Sequence, residues 1–225
     1  MTEITYAIIA CYPDKGMKSY GSKGLIHFDK KRFIEHQIDV INSMHNKKYK
    51  HEIIVIGDFD VQKIEKAISD RVSVVSIENF NPIHRACIEA KYKQILFIDY
   101  GCLFNKNLLL KTNKNYSEVV CTKNYKIGKL DIGCIINNNK IDHMFFDLPD
   151  HKFCNIFYLS NSDISKILNQ KKFHNHNLLY FEMINMLIDT GSVIGANHIN
   201  NNEFIYFNNM RQKNAITKFI KKISN

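Results

Sequence analysis

The chain has 225 residues, of which 45% are hydrophobic and 12% aromatic, so it can bury a sizeable core without disulfides. Its formal charge of +9, from 31 basic and 22 acidic side chains, favours anionic partners such as nucleotides or sugar phosphates. The sequence shows neither 18 consecutive apolar residues nor a signal-peptide pattern, which argues against a membrane span and predicts a cytoplasmic protein.

The first half of the chain alternates short β-branched runs with amphipathic segments. Strands are predicted at "ITYAIIAC", "HEIIVIGD", "RVSVVSI" and "QILFIDY". Helices are predicted at "KRFIEHQIDVINSMHNK", "DVQKIEKAISD" and "PIHRACIEAKYK", the last with Pro82 in its favourable first turn. This alternation predicts an α/β fold with a mostly parallel sheet flanked by helices.

The second half has a more mixed pattern. Strands are predicted at "EVVCTK", "IGCIIN", "KFCNIFYLS", "GSVIGAN" and "EFIYF", and helices at "NSDISKILNQ", "HNLLYFEMINMLID" and "RQKNAITKFIKKI". The chain has only three prolines and lacks a Gly/Ser/Pro-rich linker, so we expect one domain. The mixture predicts that one sheet continues into a later antiparallel portion.

Six cysteines are scattered along the chain without a C-x-x-C pair. Structural zinc sites and dithiol redox motifs need close pairs, so neither is expected. Most of these thiols lie in apolar runs and are predicted to be small buried hydrophobic residues. They are Cys11, Cys87, Cys102, Cys121, Cys134 and Cys154.

Two stretches are predicted at the carboxyl edge of the sheet, where open α/β sheets bind ligands. One is the glycine- and lysine-rich loop at residues 12–24, which contains "GMKSYGSKG", and the other is "FIDYGCLFN" at 97–105. With these stretches in order, the chain resembles the nucleotidyltransferases that activate sugar phosphates and related phosphate esters. The resemblance runs on through "DIGCIINNNKI", "FFDLPDHKFCNIFYLS" and "LLYFEMINMLIDTGSVIGAN" and covers nearly the whole chain.

The resemblance implies a Rossmann-like, glycosyltransferase-A-like domain over residues 1–225. Its nucleotide-binding half would be residues 1–112 and its acceptor-binding half residues 113–225. It also implies that a phosphate oxygen of the acceptor attacks the α-phosphate of a nucleoside triphosphate in line, releasing pyrophosphate. The family's chemistry uses positive groups around the triphosphate and Mg²⁺ held by carboxylates.

In the first loop the resemblance implies phosphate-binding residues. Lys23 falls at the position of the family's lysine, and Gly21 falls where the family's chain turns tightly. Gly16 falls at the position of the family's arginine, for which Lys15 and Lys18 are nearby substitutes. We therefore expect Lys18 and Lys23 to be catalytic, and the nucleotide-binding set of this loop to be Lys15, Gly16, Gly21 and Ser22. The alternative is a basic surface loop without a ligand.

The metal positions depart from the family pattern. Where the family has Gly-Asp after the fourth strand, this chain has Gly101-Cys102, and cysteine is a poor ligand for Mg²⁺. Asp99 lies three residues earlier and would face the site only if the chain turns at Gly101. After "EFIYF", Asn208 and Asn209 stand where aspartates are expected, so we expect weakened Mg²⁺ binding with Asp99 and Asn208 as the remaining ligands.

Further candidates come from the family's acceptor-binding regions. The stretch "ENFNPIHRA" contains Asn81 and Arg85, which are both expected near an anion. Asn81 would bind on the nucleotide side and Arg85 on the acceptor side. The alternative role for Asn81 is to cap the following helix. Asp147, in "FFDLPD", also falls near the acceptor region. The predicted acceptor-binding residues, besides Arg85, are Asp131, Gly133, Glu182 and Asn185. For the last two, a solvent-facing pair on a helix is the alternative.

Three functions remain open from the sequence. The first is a nucleotidyltransferase acting on a nucleotide and a phosphorylated small molecule. The second is a catalytically inactive relative that serves as a binding, scaffold or assembly protein, and the third is a glycosyltransferase that uses a nucleotide sugar. A membrane partner is not expected, nucleic acid is disfavoured, and the "HNH" at 174–176 lacks the surroundings of a nuclease site. The sequence leaves open the base, the acceptor, homo-oligomerisation and the role of the basic C-terminal helix.

Overall fold

Short β-branched runs become the strands of a nine-stranded sheet in the computed structural model, which describes residues 3–11, 21–44, 50–58, 60–110, 115–123, 131–147 and 151–224. The strands are β1 (Ile4–Ala10), β2 (His27–Phe28), β3 (Lys31–Arg32), β4 (His51–Gly57), β5 (Ser73–Ser76), β6 (Ile95–Asp99), β7 (Cys102–Phe104), β8 (Glu118–Thr122), β9 (Ile132–Asn137), β10 (Lys140–Phe146), β11 (His151–Leu159), β12 (Gly195–His198) and β13 (Phe204–Tyr206).

Six of the seven helices in the described residues follow the predicted amphipathic segments, and the helix at Lys106–Leu110 is the exception. They are α1 (Phe33–Ser43), α2 (Val61–Ile68), α3 (Pro82–Glu89), α4 (Lys106–Leu110), α5 (Asn161–Asn169), α6 (Tyr180–Asp189) and α7 (Lys213–Ser224). Short 3₁₀ turns lie at Lys23–Leu25, Lys171–His174 and Met210–Gln212. Among the described residues, no helix is long and apolar enough to cross a bilayer.

The large sheet has the strand order β5-β4-β1-β6-β11-β8-β12-β10-β9, and β9 also pairs with β11. Strands β5, β4, β1 and β6 run parallel, whereas β11 is antiparallel to β6, β8 and β9. The small pairs are β2 with β3 and β7 with β13. The predicted mixed α/β architecture with a later antiparallel portion is therefore confirmed.

The core lies on both faces of the parallel strands because successive side chains of a strand point to opposite faces. Ala7 and Ile9 of β1 face a cluster with α3, α5 and α6, whereas Tyr6 and Ile8 face a cluster with α1 and α2. A smaller cluster, centred on Phe28, packs under α7. All six cysteines are buried, as predicted from their apolar surroundings.

The differences from the predicted elements are local. The strand β10, with sequence "KIDHMFF", was not predicted, because its polar and apolar residues do not alternate regularly and a register shift interrupts its pairing with β9 between Ile141 and His143. The short strands β2, β3 and β7 and the helix α4 were also not predicted. These elements are too short to show a period of their own.

Candidate active site

A cleft of about 550 Å³ lies beside the carboxyl end of β6. Asp99, the last residue of β6, lines it together with the amide side chains of Asn155, Asn201 and Asn208. The cleft thus occurs at the carboxyl edge of the parallel strands, where α/β folds bind ligands. Hydrophobic and aromatic side chains complete part of its lining: Ile132, Phe146, Phe153, Leu179 and Tyr180.

Asp99 and Lys23 form a buried ion pair next to this cleft. The Nζ of Lys23 lies 3.8 Å from Oδ1 of Asp99, and their side chains are only 3% and 6% exposed. The same carboxylate oxygen accepts a hydrogen bond of 2.7 Å from the backbone N–H of Gly101. Because a buried charge without a partner is costly, each of these two charges stabilises the other.

Two tyrosine rings border the ammonium group of Lys23. Its Nζ lies 4.7 Å from the ring centroids of both Tyr100 and Tyr206, within the range of a cation–π contact. It also donates a hydrogen bond of 3.2 Å to the hydroxyl of Tyr206. Tyr206 reaches this place because β13 pairs with β7, opposite Cys102. The ammonium is therefore fixed by Asp99 and by the two rings.

The turn after β6 shapes the space in which this ammonium lies. A Cβ atom added at Gly101 would be only 2.6 Å from Nζ of Lys23 and 3.1 Å from Oδ1 of Asp99. The buried side chain of Gln37, on α1, holds the turn by donating to the backbone carbonyls of Asp99 (3.2 Å) and Cys102 (2.6 Å). The turn at Gly101 thus brings Asp99 to the cleft.

The described part of the first loop is anchored beside α2. Gly21 has φ +74°, which favours glycine, and the N–H of Ser22 donates to the Asp60 carboxylate at 3.2 Å. The Ser22 hydroxyl is buried without a hydrogen-bond partner, which makes it a candidate ligand contact. The other predicted loop residues lie outside the described residues: Lys15, Gly16 and Lys18.

Cys102 does not face the cleft. Its thiol is buried and donates to the backbone carbonyl of Cys154 at 3.1 Å, on the core side of β7. Burial, reinforced by the nearby Asp99 carboxylate, raises the pKa of this thiol well above its ordinary value. Position 102 is thus a core position, and the side chain that reaches the cleft from this turn is Asp99.

Two of the oxygens that could bind Mg²⁺ already accept hydrogen bonds. Oδ1 of Asp99 accepts from Gly101, and Oδ1 of Asn208 accepts a hydrogen bond of 2.6 Å from the side-chain amide of Asn209. Mg²⁺ prefers several oxygen ligands at about 2.0–2.1 Å in octahedral geometry. Groups of three or more His, Cys, Asp or Glu side chains suited to a metal are absent from the part of the chain that the structure describes.

The ammonium of Lys23 adds an electrostatic obstacle. Two unit charges about 4 Å apart interact by about 4 kcal/mol at an effective dielectric of about 20, and a divalent ion doubles that value. A Mg²⁺ ion on the Asp99 carboxylate would be repelled by the ammonium of Lys23, which lies 3.8 Å from Oδ1, with an energy that falls as the ion binds farther from Nζ. The donor set around Asp99 and Asn208 therefore does not fit a magnesium ion held by the protein.

Asn81 and Arg85 lie on α3, and both have partners within the fold. The buried side chain of Asn81 caps the helix, accepting from the N–H of Ile83 at 2.9 Å, and donates to the carbonyl of Leu178 at 2.9 Å. Arg85 contacts the carboxylate of Glu89 at 3.0 Å. The geometry thus gives Asn81 the role of a helix cap, the alternative considered from the sequence.

A second part of the cleft contains another ion pair. Asp131 and Lys152 both line the cleft, and Nζ of Lys152 lies 2.7 Å from Oδ1 of Asp131. Gly133 of β9 is paired with Lys152 on β11, which places the lysine beside the aspartate. The N–H of Asp147 donates to the backbone carbonyl of Asp131 at 3.0 Å. Asp131 thus lies at the cleft, and its predicted acceptor-binding role stays a prediction.

Glu182 and Asn185, on α6, bond the backbone instead of the cleft. The carboxylate of Glu182 accepts from the N–H of Leu179 at 2.8 Å, within a capping box. The amide of Asn185 bonds both the N–H (2.9 Å) and the carbonyl (2.8 Å) of Met144 on β10. Both residues therefore position the wall of the cleft.

Several site residues were not predicted from the sequence, namely Gln37, Asp60, Lys152 and Tyr206. Lys152 and Tyr206 lie on predicted strands, but no motif distinguishes them from other strand residues. Their positions depend on long-range pairing of β11 with β9 and of β13 with β7. The only sequence signal at Asp60 is its place just before a predicted helix, and Gln37 is a buried polar residue on an otherwise apolar helix face.

The fold is shared with solved nucleotidyltransferases. The structure of the inositol-1-phosphate CTP transferase from T. maritima matches with a TM-score of 0.77 and 12% identity, covering 98% of this chain and 96% of that one. The CTP:phosphocholine cytidylyltransferase from Streptococcus pneumoniae matches with a TM-score of 0.72 and 13% identity, covering 96% and 99%. These structures confirm the glycosyltransferase-A-like fold that the sequence resemblance predicted.

No protein-family model and no curated protein matches the sequence. At 12–13% identity the structural similarity establishes the fold, and the chemistry has to be argued from the site.

Proposed function

We propose that this protein transfers a nucleoside monophosphate from a nucleoside triphosphate to a phosphorylated small molecule and releases pyrophosphate. The observation that carries the proposal is the buried ion pair of Lys23 and Asp99, placed against a cleft at the carboxyl edge of the parallel strands. Ion pairs of this kind position a cation for anionic ligands, and the solved proteins that share the fold act on CTP and a phosphate ester according to their names.

In the proposed reaction an oxygen of the acceptor phosphate attacks the α-phosphorus in line. The bond from the α-phosphorus to the bridging oxygen breaks, and pyrophosphate leaves with the bonding electrons. No proton has to be removed, because the attacking phosphate is already anionic. The protein's contribution is therefore to align the two phosphates and to stabilise the negative charge that they bring together.

Some of the site residues would bind the nucleoside triphosphate, and others would bind the acceptor. Lys23 would stabilise the triphosphate, the buried Ser22 hydroxyl would bond a phosphate or ribose oxygen, and Lys15 and Lys18 would add positive charge from the loop, as the resemblance implies. Lys152, held by Asp131, would bind the acceptor phosphate from the other half of the chain. This division follows the proposed nucleotide half at residues 1–112 and acceptor half at 113–225.

The acceptor would rest against the apolar part of the cleft wall. Phe146 is about half exposed there and packs edge-on against Phe181, at a centroid distance of 5.0 Å. Such a wall suits a ligand with an apolar or ring face, and the Lys152–Asp131 pair suits its charged end. We therefore propose a small phosphate ester as the acceptor class, with CTP as the first nucleotide to test.

The test is pyrophosphate release and ³¹P NMR of the product. The protein is mixed with CTP, UTP, ATP or GTP and a panel of phosphate esters, including sugar 1-phosphates, inositol 1-phosphate and phosphocholine. A new pair of coupled ³¹P resonances from a pyrophosphate that links the nucleoside to the acceptor supports the proposal. Nucleotide binding without turnover of any acceptor supports the inactive relative, and turnover of a nucleotide sugar with release of a nucleoside diphosphate supports the glycosyltransferase.

A further inference from the structure

Among the described residues, the ammonium of Lys23 forms a buried ion pair with Asp99. Oδ1 of Asp99 faces this ammonium at 3.8 Å and the N–H of Gly101 at 2.7 Å, and Lys23 and Asp99 are each more than nine-tenths buried. We infer that the site binds its phosphate ligands without a divalent cation held by the protein, and that Lys23, positioned by Asp99, supplies the positive charge. This inference rests on the proposed function.

The space next to Asp99 supports this inference. Gly101 has no side chain, and the volume that a Cβ would take is filled by the end of Lys23, at 2.6 Å from Nζ and 2.9 Å from Cε. The Tyr100 and Tyr206 rings stand at 4.7 Å from the same nitrogen. The lysine thus occupies a fitted site, because its ammonium meets a carboxylate, two ring faces and the backbone of a glycine.

Part of the polar lining of the cleft also suits an anion better than a cation. Besides the ion-paired Asp131 and Lys152, this lining includes the neutral amides of Asn155, Asn201 and Asn208. In Asn208 the carbonyl oxygen already accepts from Asn209, at 2.6 Å, which leaves its NH₂ group as the donor. Amide donors bind phosphate or hydroxyl oxygens, whereas a metal ion needs oxygen atoms.

Asp99 would then act as a positioning residue. The distance of 3.8 Å to Nζ exceeds that of a charge-assisted hydrogen bond, about 2.7–2.9 Å, so the carboxylate attracts the ammonium without a close hydrogen bond. Lys23 in turn lies against Asp99 and Tyr206, which both line the cleft. Phosphate oxygens that enter beside these two residues meet the field of the ammonium directly.

Calorimetry with CTP and with inorganic pyrophosphate tests the inference on the wild-type protein. Titrations are carried out once in EDTA and once with excess Mg²⁺. We expect both ligands to bind in EDTA, with Kd values that agree within about threefold between the two buffers. Binding that requires Mg²⁺ would overturn the inference and leave the proposed function standing, whereas no binding of any nucleotide or pyrophosphate in either buffer would overturn both.

Variants of Lys23 distinguish the loss of its positive charge from a loss of folding. Lys23→Met should weaken CTP and pyrophosphate binding in EDTA by about 10- to 100-fold, whereas Lys218→Met, the same change at an exposed lysine on α7, should not. Lys23→Arg keeps the charge and should retain more binding than Lys23→Met if the positive charge acts on the ligand. Circular dichroism of each variant shows whether the fold is intact before binding is compared.

A direct metal measurement completes the test. We expect the electron paramagnetic resonance signal of free Mn²⁺ to stay unchanged when wild-type protein is added, because the Asp99 carboxylate faces the ammonium of Lys23. Capture of Mn²⁺ by the wild-type protein that disappears in Asp99→Asn would show that the carboxylate holds a metal, and the inference would be wrong. This measurement does not depend on turnover.

Discussion

Lys23 and Gly101 are packed so closely that a single methyl group at position 101 would come within 2.6 Å of the lysine's Nζ. The two residues are far apart in sequence, and the contact forms because the 3₁₀ turn that begins at Lys23 meets the turn after β6 at the carboxyl edge of the sheet. The lysine's position therefore depends on the absence of a side chain at 101. Its long side chain can shift, whereas the backbone of the turn is held by Gln37.

Gly101→Ala is expected to displace the ammonium of Lys23 while the fold stays intact. The displaced lysine loses its fit between Asp99 and the tyrosine rings, so we expect CTP binding to weaken by about tenfold or more. The midpoint of thermal unfolding should fall only slightly, because the far end of a flexible side chain can absorb the clash. Calorimetry and thermal denaturation measure the two effects.

Gly191→Ala is the matched control for this variant. Gly191 has φ +82° and no atom within 4 Å of an added Cβ, so alanine there adds backbone strain without a clash. We expect a loss of about 1–2 kcal/mol in the free energy of unfolding and an unchanged Kd for CTP. Equal effects of the two variants on binding would contradict the role given to the Lys23–Gly101 contact.

Lys152→Met is expected to affect the acceptor and not the nucleotide. The ammonium of Lys152 lies at the cleft, 2.7 Å from Oδ1 of Asp131, and a hydrogen bond to a charged group contributes about 1.5–3 kcal/mol. We therefore expect the KM for the phosphate ester to rise about 10- to 100-fold with little change in the KM for CTP. Lys140→Met, at an exposed position of β10, serves as the control. A rise in the KM for CTP alone would assign Lys152 to the other substrate.

Asn81→Ala is expected to reduce stability without changing nucleotide binding. The side chain caps α3 and bonds the carbonyl of Leu178, so its removal loses the cap and leaves a carbonyl unpaired, at a cost of about 2–4 kcal/mol. Urea denaturation measures the loss, and calorimetry with CTP measures binding. Asn214→Ala, at an exposed position of α7, should change neither quantity. A clear loss of CTP affinity in folded Asn81→Ala would restore this residue to the nucleotide site.

The sequence predicts this fold well because the buried strands and amphipathic helices of the first half are long enough to show their periods. It predicts the site only in part. Lys23 and Asp99 could be proposed from the family resemblance at the first loop and at the end of the fourth predicted strand, whereas the partners that fix them come from far along the chain. Tyr206 is 183 residues from Lys23, and its hydroxyl accepts from Nζ only because β13 pairs with β7.

Cys102 illustrates the opposite case. By the family resemblance it stands in the position of a metal ligand, because the family has Gly-Asp where this chain has Gly101-Cys102. The chain turns at Tyr100 and Gly101 and starts the new strand β7 at Cys102, so the thiol faces the core and Asp99 faces the cleft. A turn of two residues, which has no periodicity of its own, decides which side chain reaches the site.

His84 is expected to make the stability of the fold depend on pH between about pH 7 and 5. Its buried ring stacks on Phe80 and lies 4.1 Å, between centroids, from the ring of His174. Burial, assisted by repulsion from His174, lowers the pKa of His84 below its ordinary value of about 6.5. The unfolded chain therefore takes up a proton first as the pH falls, so the free energy of unfolding decreases below about pH 6.5 until the folded pKa is reached.

His84→Phe keeps an aromatic ring beside Phe80 and removes the titrating group. Urea denaturation at intervals from pH 7.5 to pH 5 should show a shallower loss of stability for this variant than for the wild type. Some slope should remain, because burial and the neighbouring His151 also lower the pKa of His198. Asp39 contributes only at lower pH, since its bonds with Lys31 and Arg71 outweigh burial and lower its pKa. The control is His176→Phe, at an exposed position, which should show the same dependence of unfolding free energy on pH as the wild type. If His84→Phe also showed the wild-type dependence, His84 would not be the group that causes it.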